Sequence, residues 1–247
     1  MSEYRGTAMT AMTTRTIIKL CGLRTLDDAR AATDAGADVL SFTFYAGSRR
    51  YIAPQEAGAI IAALRAEAGP HPLICGLFVN ETAATVRKTA AQCGLDLVQL
   101  AGDESPENVR AVEMPTLKSF RPQPGETAPA LAERIVPYLD IVPSLPPGPF
   151  GQPLIPLLDA AVPGTYGGTG HTADWALCAA FIGLPAPGSH RVMLAGGLTP
   201  ETVGAAVRIV RPWGVDVASG IERAPGVKDA ARMTAFVQAV RAADREA

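Results

Sequence analysis

Aromatic residues are scarce, at 6% of the 247-residue chain, and charged residues make up only 19%, below the usual ~25%. Lys plus Arg (22) and Asp plus Glu (24) nearly cancel, for a net charge of −2. That balance gives no electrostatic reason to expect a nucleic acid or a membrane surface as partner. The four cysteines, Cys21, Cys75, Cys93 and Cys178, show no C-x-x-C spacing, which excludes a disulfide framework and a zinc ribbon. No apolar run approaches the ~18 residues of a membrane span. The first 14 residues, MSEYRGTAMTAMTT, lack the apolar segment of a secretory signal and read as an extension ahead of the fold. The expected location is the cytoplasm. What the chain does have is 48% hydrophobic residues, mostly Ala and Val among the surplus. That content and length are enough to bury a large core, in the manner of a sheet covered on both faces.

Two textures alternate from residue 16 onward. β-branched or apolar runs occupy 16–20, 38–44, 73–79, 95–100, 116–120, 154–158, 191–195 and 215–219. Each is followed by an Ala-rich segment of helical period, at 26–35, 54–68, 82–93, 106–113, 127–138, 172–182, 200–210 and 228–243. Thr25-Leu-Asp-Asp28 reads as a capped helix start, Thr199-Pro200-Glu201 as a start with proline in the first turn, and Gly36 and Gly94 as helix stops. Strand–helix alternation implies right-handed βαβ units and a parallel sheet. Eight units within residues 15–247 predict one closed (β/α)8 TIM barrel domain rather than an open doubly wound sheet, because no G-x-G-x-x-G follows the first strand. One irregular stretch, 140–159, carries six prolines and reads as a rigid surface excursion or, as the second choice, a segment covering the active site.

In such a barrel the chemistry sits at the C-terminal strand ends and the loops after them. Cys21 closes the first strand there, Arg49 and Arg50 follow the second, and Asp159 closes the sixth. Gly167-Gly168-Thr169-Gly170 and His171 follow the sixth, Gly196-Gly197 close the seventh, and Ser219-Gly220 the eighth. The glycines after the last two strands let the backbone approach a ligand and offer N–H groups to a phosphate; tight turns alone are the simpler reading. Lys19 and Cys21 share a strand face, so Lys19 points into the barrel and needs a counter-ion, for which Asp216 on the eighth strand is the candidate. A carboxylate such as Asp159 at an apolar rim suits general-acid use, or else orders its loop. Arg50 suits bidentate capture of a carboxylate. Cys75, Cys93 and Cys178 read as core, and His71 and His190 as surface.

Ile18-Lys-Leu-Cys-Gly22, Phe42-Thr-Phe-Tyr-Ala-Gly-Ser-Arg-Arg-Tyr-Ile52, Gly76-Leu-Phe-Val-Asn80, Val98-Gln-Leu-Ala-Gly-Asp-Glu104, Leu157-Leu-Asp159, Tyr166-Gly-Gly-Thr-Gly170, Leu194-Ala-Gly-Gly-Leu-Thr-Pro-Glu201 and Val215-Asp-Val-Ala-Ser-Gly-Ile-Glu222 stand in order along the chain. Together they resemble phosphoribosylanthranilate isomerase, over about residues 16–241. The resemblance implies a (β/α)8 barrel that needs no cofactor and no metal. Its small-molecule phosphosugar substrate is rearranged from aldose to ketose in tryptophan biosynthesis, by a monomer or homodimer. It implies Cys21 as general base and Asp159 as general acid, Arg50 on the anthranilate carboxylate, and Asp216 near the substrate amine or Lys19. Gly168, Gly196, Gly197, Ser219 and Gly220 complete the implied substrate site. Three features depart from the family pattern: Ala101 stands where a histidine is usual, His171 where a lysine is usual, and the proline-rich stretch before Asp159 is longer than usual. The residues alone also fit another phosphosugar isomerase or epimerase barrel, or a catalytically silent phosphosugar-binding barrel.

Overall fold

A computed structural model describes residues 15–160, 173–185 and 191–246. Eight parallel strands close a barrel in chain order: β1 Ile17–Cys21, β2 Val39–Thr43, β3 Leu73–Phe78, β4 Leu97–Leu100, β5 Thr116–Phe120, β6 Leu154–Leu158, β7 Met193–Leu194 and β8 Gly214–Val217. The helices are α1 Leu26–Ala35, α2 Pro54–Arg65, α3 Ala83–Cys93, α4 Pro106–Val112, α5 Ala128–Leu139, α6 Trp175–Ile182, α7 Val203–Val210 and α8 Ala230–Glu246. A short antiparallel hairpin, β9 Glu222–Ala224 with β10 Val227–Lys228, follows β8. No described helix is long and apolar enough to cross a membrane.

The strands are buried on both faces, which is why they read as apolar runs rather than alternating ones. Residues pointing inward, among them Ile17, Val39, Cys75, Leu97, Leu117, Ile155 and Met193, fill the lumen. Their outward neighbours, such as Ile18, Leu40, Ile74 and Val98, pack under the helices. Each fully buried Leu, Ile or Val of this kind contributes about 1.5–3 kcal/mol. Local signals fix the helix ends. Thr25 accepts the amide N–H of Asp28 at 3.0 Å at the start of α1, and Gly36 ends it in the left-handed conformation at φ +92°.

Several expectations need correction. β8 stops at Val217, and Ser219-Gly220 lie in a 3-10 turn, Ser219–Ile221, rather than on the strand. α7 starts only at Val203, with Thr202 at its cap position, so Pro200 is not in its first turn. The Thr199 amide N–H instead donates to the Thr202 hydroxyl, which holds 199–202 as a turn. The proline-rich stretch leads into the N-terminal end of β6, the end of the barrel opposite Cys21 and Asp159, so it does not cover those residues. It runs largely along the surface at that end, and one residue of it reaches the barrel floor. Phe150 packs on the lumen cluster and meets Trp213 edge-on at 4.8 Å, with the Arg191 guanidinium 5.5 Å from the Trp213 ring. Residues 1–14, Gly168, His171 and His190 lie outside the described residues.

Candidate active site

β1 and β8 pair with Lys19 opposite Asp216, and the barrel's closure turns that register into a contact. Lys19 Nζ lies 2.9 Å from Asp216 Oδ1 with its side chain fully buried. Burial opposes the ammonium charge, but attraction to Asp216, with Cys21 and Cys75 behind it, holds Lys19 above the usual lysine range. Cys21, 3% exposed at the end of β1, lies within electrostatic reach of Lys19, Arg50 and Lys228. The deeper Cys75 is different: burial pushes its thiol up to about 12, which keeps it neutral and structural.

Asp159 follows β6 and faces the same cavity as Cys21 and Asp216. Its Oδ1 accepts the Ala160 amide N–H at 2.8 Å. Burial raises its carboxyl from 3.8 to about 6, and the nearby Asp216 charge adds to the rise. Arg121 and Lys19 pull the other way without reversing it. A carboxylic acid near 6 is poised to donate a proton in neutral solution.

Arg50 comes in from the β2–α2 loop. Glu222 binds it through both carboxylate oxygens, at 2.6 Å to Nε and 2.9 Å to Nη2. Glu222 also receives Lys228 Nζ at 3.0 Å, and that ammonium donates to the Ala218 carbonyl oxygen at 2.7 Å. The two cations hold the Glu222 carboxyl below the usual range despite its burial. The pair fixes the guanidinium plane and uses two of its five N–H donors, so three remain for a ligand. Gly22 makes room for this arrangement, since a Cβ there would collide with Arg50 Cδ.

Gly196 and Gly197 both have positive φ, +89° and +64°, and a Cβ on Gly220 would run into the Leu198 carbonyl oxygen. The two turns therefore press together at one side of the cavity, with Ser219 also lining it. Because α7 begins later, this cradle is made by turns and not by a helix N-terminus. The cavity holds about 70 Å³ and also takes in Tyr45, Ser48, Leu77, Gln99 and Ala101. The Ala101 carbonyl oxygen accepts Arg121 Nη2 at 2.6 Å. The loop after β4 is held from behind by Lys118, whose Nζ donates to Glu104 Oε2 and to the Gly102 carbonyl oxygen, both at 2.8 Å.

The structure thus brings Cys21, Asp159, Arg50, Asp216, Gly196, Gly197 and Ser219 onto one cavity, with Gly220 in the turn beside it. Arg49 is exposed outside it. Sequence reasoning gave no role to Glu222, Lys228, Gln99 or the Lys118–Glu104 pair. The signal for Glu222 lay in its place just after the eighth strand, where a charge must find a partner on a neighbouring loop.

A closed (β/α)8 barrel with an acid, a thiol and glycine turns gathered around a cavity at its C-terminal strand ends has the architecture of a barrel enzyme. The family model described as N-(5'phosphoribosyl)anthranilate (PRA) isomerase matches residues 18–239. The chain belongs to this family of isomerases. The N-(5'-phosphoribosyl)anthranilate isomerase of Geobacter metallireducens is 43% identical over 225 residues, 91% of this chain and 98% of that protein. The crystal structure of phosphoribosyl anthranilate isomerase from Thermus thermophilus superposes with a TM-score of 0.73 at 32% identity, covering 92% of this chain and 99% of that one. A further phosphoribosyl anthranilate isomerase, solved in complex with reduced 1-(o-carboxyphenylamino)-1-deoxyribulose 5-phosphate, is 30% identical with a TM-score of 0.71, over 92% and 99% of the two chains.

Proposed function

We propose that the chain converts N-(5'-phosphoribosyl)anthranilate to 1-(o-carboxyphenylamino)-1-deoxyribulose 5-phosphate, in the cytoplasm, as a step of tryptophan biosynthesis. The observation that carries this reading is Asp159, raised to about 6, facing the same cavity as the Cys21 thiol. Asp159 gives its proton to the furanose ring oxygen as the C1–O bond breaks, and the anthranilate nitrogen lone pair forms the C1=N iminium. Cys21, as general base, takes the proton from C2, and the C2–H electrons form the C1=C2 bond as the C=N pair returns to the nitrogen, which gives the enolamine. Protonation at C1 and loss of the O2 proton give the ketone. Hydrogen moves from C2 to C1 within one molecule, so the step balances without an external oxidant or reductant.

The remaining residues have binding roles in this reading. Arg50, held by Glu222, meets the anthranilate carboxylate with its free N–H donors. Gly196, Gly197, Ser219 and Gly220 offer backbone N–H groups to the phosphate, and the family resemblance adds Gly168 to them. Asp216 keeps Lys19 charged beside Cys21 and sits within reach of the substrate amine. The test is complementation of a tryptophan auxotroph lacking this one isomerase. Growth on minimal medium with the wild-type gene, lost with Cys21→Ser and with Asp159→Asn, is the expected result. Failure of the folded wild-type protein to restore growth refutes the reading, and growth with either variant refutes that residue's role.

A further inference from the structure

Outside the reacting groups lies a second, more open cavity of about 360 Å³. It shares Arg50 and Ser219 with the inner one and is walled by Arg49, Arg223, Glu222 and the tip of the β9–β10 hairpin. Three loops converge here. Gly226 in the hairpin has φ +79°, and a Cβ on it would stand 2.8 Å from the Arg49 carbonyl oxygen and 3.6 Å from Arg24 Nη1. Arg24, Arg49 and Arg223 are all exposed, and none forms an ion pair among the described residues. Arg50 and Lys228 share the single carboxylate of Glu222. Arg49, Arg50 and Arg223 thus line this cavity with one carboxylate, Glu222, and Arg24 stands beside the hairpin, in a protein whose net charge is −2. Surface arginines without partners gain nothing for the fold. Gathered at an entrance, they raise the local concentration of an anion.

We propose that this vestibule is an electrostatic capture site for a polyanion carrying a phosphate and a carboxylate, in which Arg49 and Arg223, with Arg24 behind them, draw the substrate toward Arg50 and the glycine turns. The inference rests on the isomerase reading, which makes the substrate about trivalent in charge. The vestibule arginines act through space and touch no reacting atom. At roughly 10 Å in water, each attracts a trianion several-fold at about 0.01 M ionic strength and well under twofold at about 0.5 M.

The test measures kcat and KM of the full-length protein across a sodium chloride series. Wild type is compared with the double variant Arg49→Gln/Arg223→Gln and with the charge-reversed Arg49→Glu/Arg223→Glu. The expected result is a kcat/KM for the Gln variant about tenfold below wild type at ~0.01 M salt, converging to within about twofold at ~0.5 M. Its kcat at saturating substrate stays within about twofold of wild type throughout. Charge reversal is expected to make kcat/KM rise with salt. Salt profiles that run parallel for all three proteins overturn the proposal, as does a loss in the Gln variant that persists undiminished at high salt, because that marks a direct contact. Absence of turnover in wild type refutes the isomerase reading and the proposal with it. Turnover with parallel profiles refutes the proposal alone.

Discussion

Replacing Asp159 with Asn is expected to abolish most activity and, at the same time, to stabilise the fold above neutral pH. Asn keeps the size of Asp and can keep accepting the Ala160 amide N–H, now made at 2.8 Å, but it never ionises. In wild type, burial and the Asp216 charge raise the Asp159 carboxyl from 3.8 to about 6. A raised carboxyl favours folding while it is protonated. Its contribution is complete below about pH 3.8 and is lost as the pH climbs through about 6. Above that, the folded protein holds an anion that the unfolded chain would carry more easily. A shift from 3.8 to about 6 corresponds to up to about 3 kcal/mol at ~1.36 kcal/mol per unit, an upper figure because part of the side chain faces the cavity. The assay is urea unfolding at pH 4.5 and pH 8. The gap between Asp159→Asn and wild type should at the lower pH be about a third of its value at the higher one, where it reaches about 1–3 kcal/mol in favour of the variant, a rise in Tm of about 2–12 °C for a chain of this size. Loss of a general acid should meanwhile reduce kcat by about 10²–10⁴. A variant less stable than wild type at pH 8, or a gap that does not change with pH, refutes the account of Asp159 as a carboxyl held against its ionisation.

Two further outcomes follow from the charge pairs. Arg50→Ala should raise KM roughly ten- to a hundred-fold, about 1.5–3 kcal/mol for a lost charge-assisted contact, while Arg49→Ala at physiological salt does far less; equal effects would remove the distinction between the two arginines. Lys19→Met leaves Asp216 buried without its partner, now 2.9 Å away, and should cost about 3–5 kcal/mol in urea unfolding at pH 7. Unchanged stability there would show that water reaches Asp216.

The barrel was legible because its strands and helices differ in texture, and because eight repeats of one unit leave few other architectures. The Lys19–Asp216 pair was legible for a related reason: period-two alternation put Lys19 inside, and closure of the barrel made β8 the neighbour of β1. The hairpin after β8 was hidden by its size. Strands of three and two residues leave no periodicity, and Lys228 on β10 looked like the start of the last helix. Glu222 went without a role because its partner, Arg50, is 172 positions away, and no local pattern links them. The start of α7 was misplaced because Thr-Pro-Glu carries a helix-start signature, whereas the Thr199–Thr202 contact makes it a turn. Phe150 as a floor plug depends on meeting Trp213 across the barrel bottom, which spacing along the chain does not encode.

Under the proposed role of Arg50, the room that Gly22 leaves for that side chain ties residue 22 to substrate binding without contact to a ligand. A Cβ there would collide with Arg50 Cδ, on a side chain that Glu222 already holds by two hydrogen bonds, and the φ of +79° strains any residue but glycine. A genetic screen for lost activity would therefore score residue 22 alongside the reacting groups, and the biochemical defect would be read at the aromatic acid end of the substrate. Adding bulk to a backbone turn in this barrel is equivalent to removing a charge from its mouth.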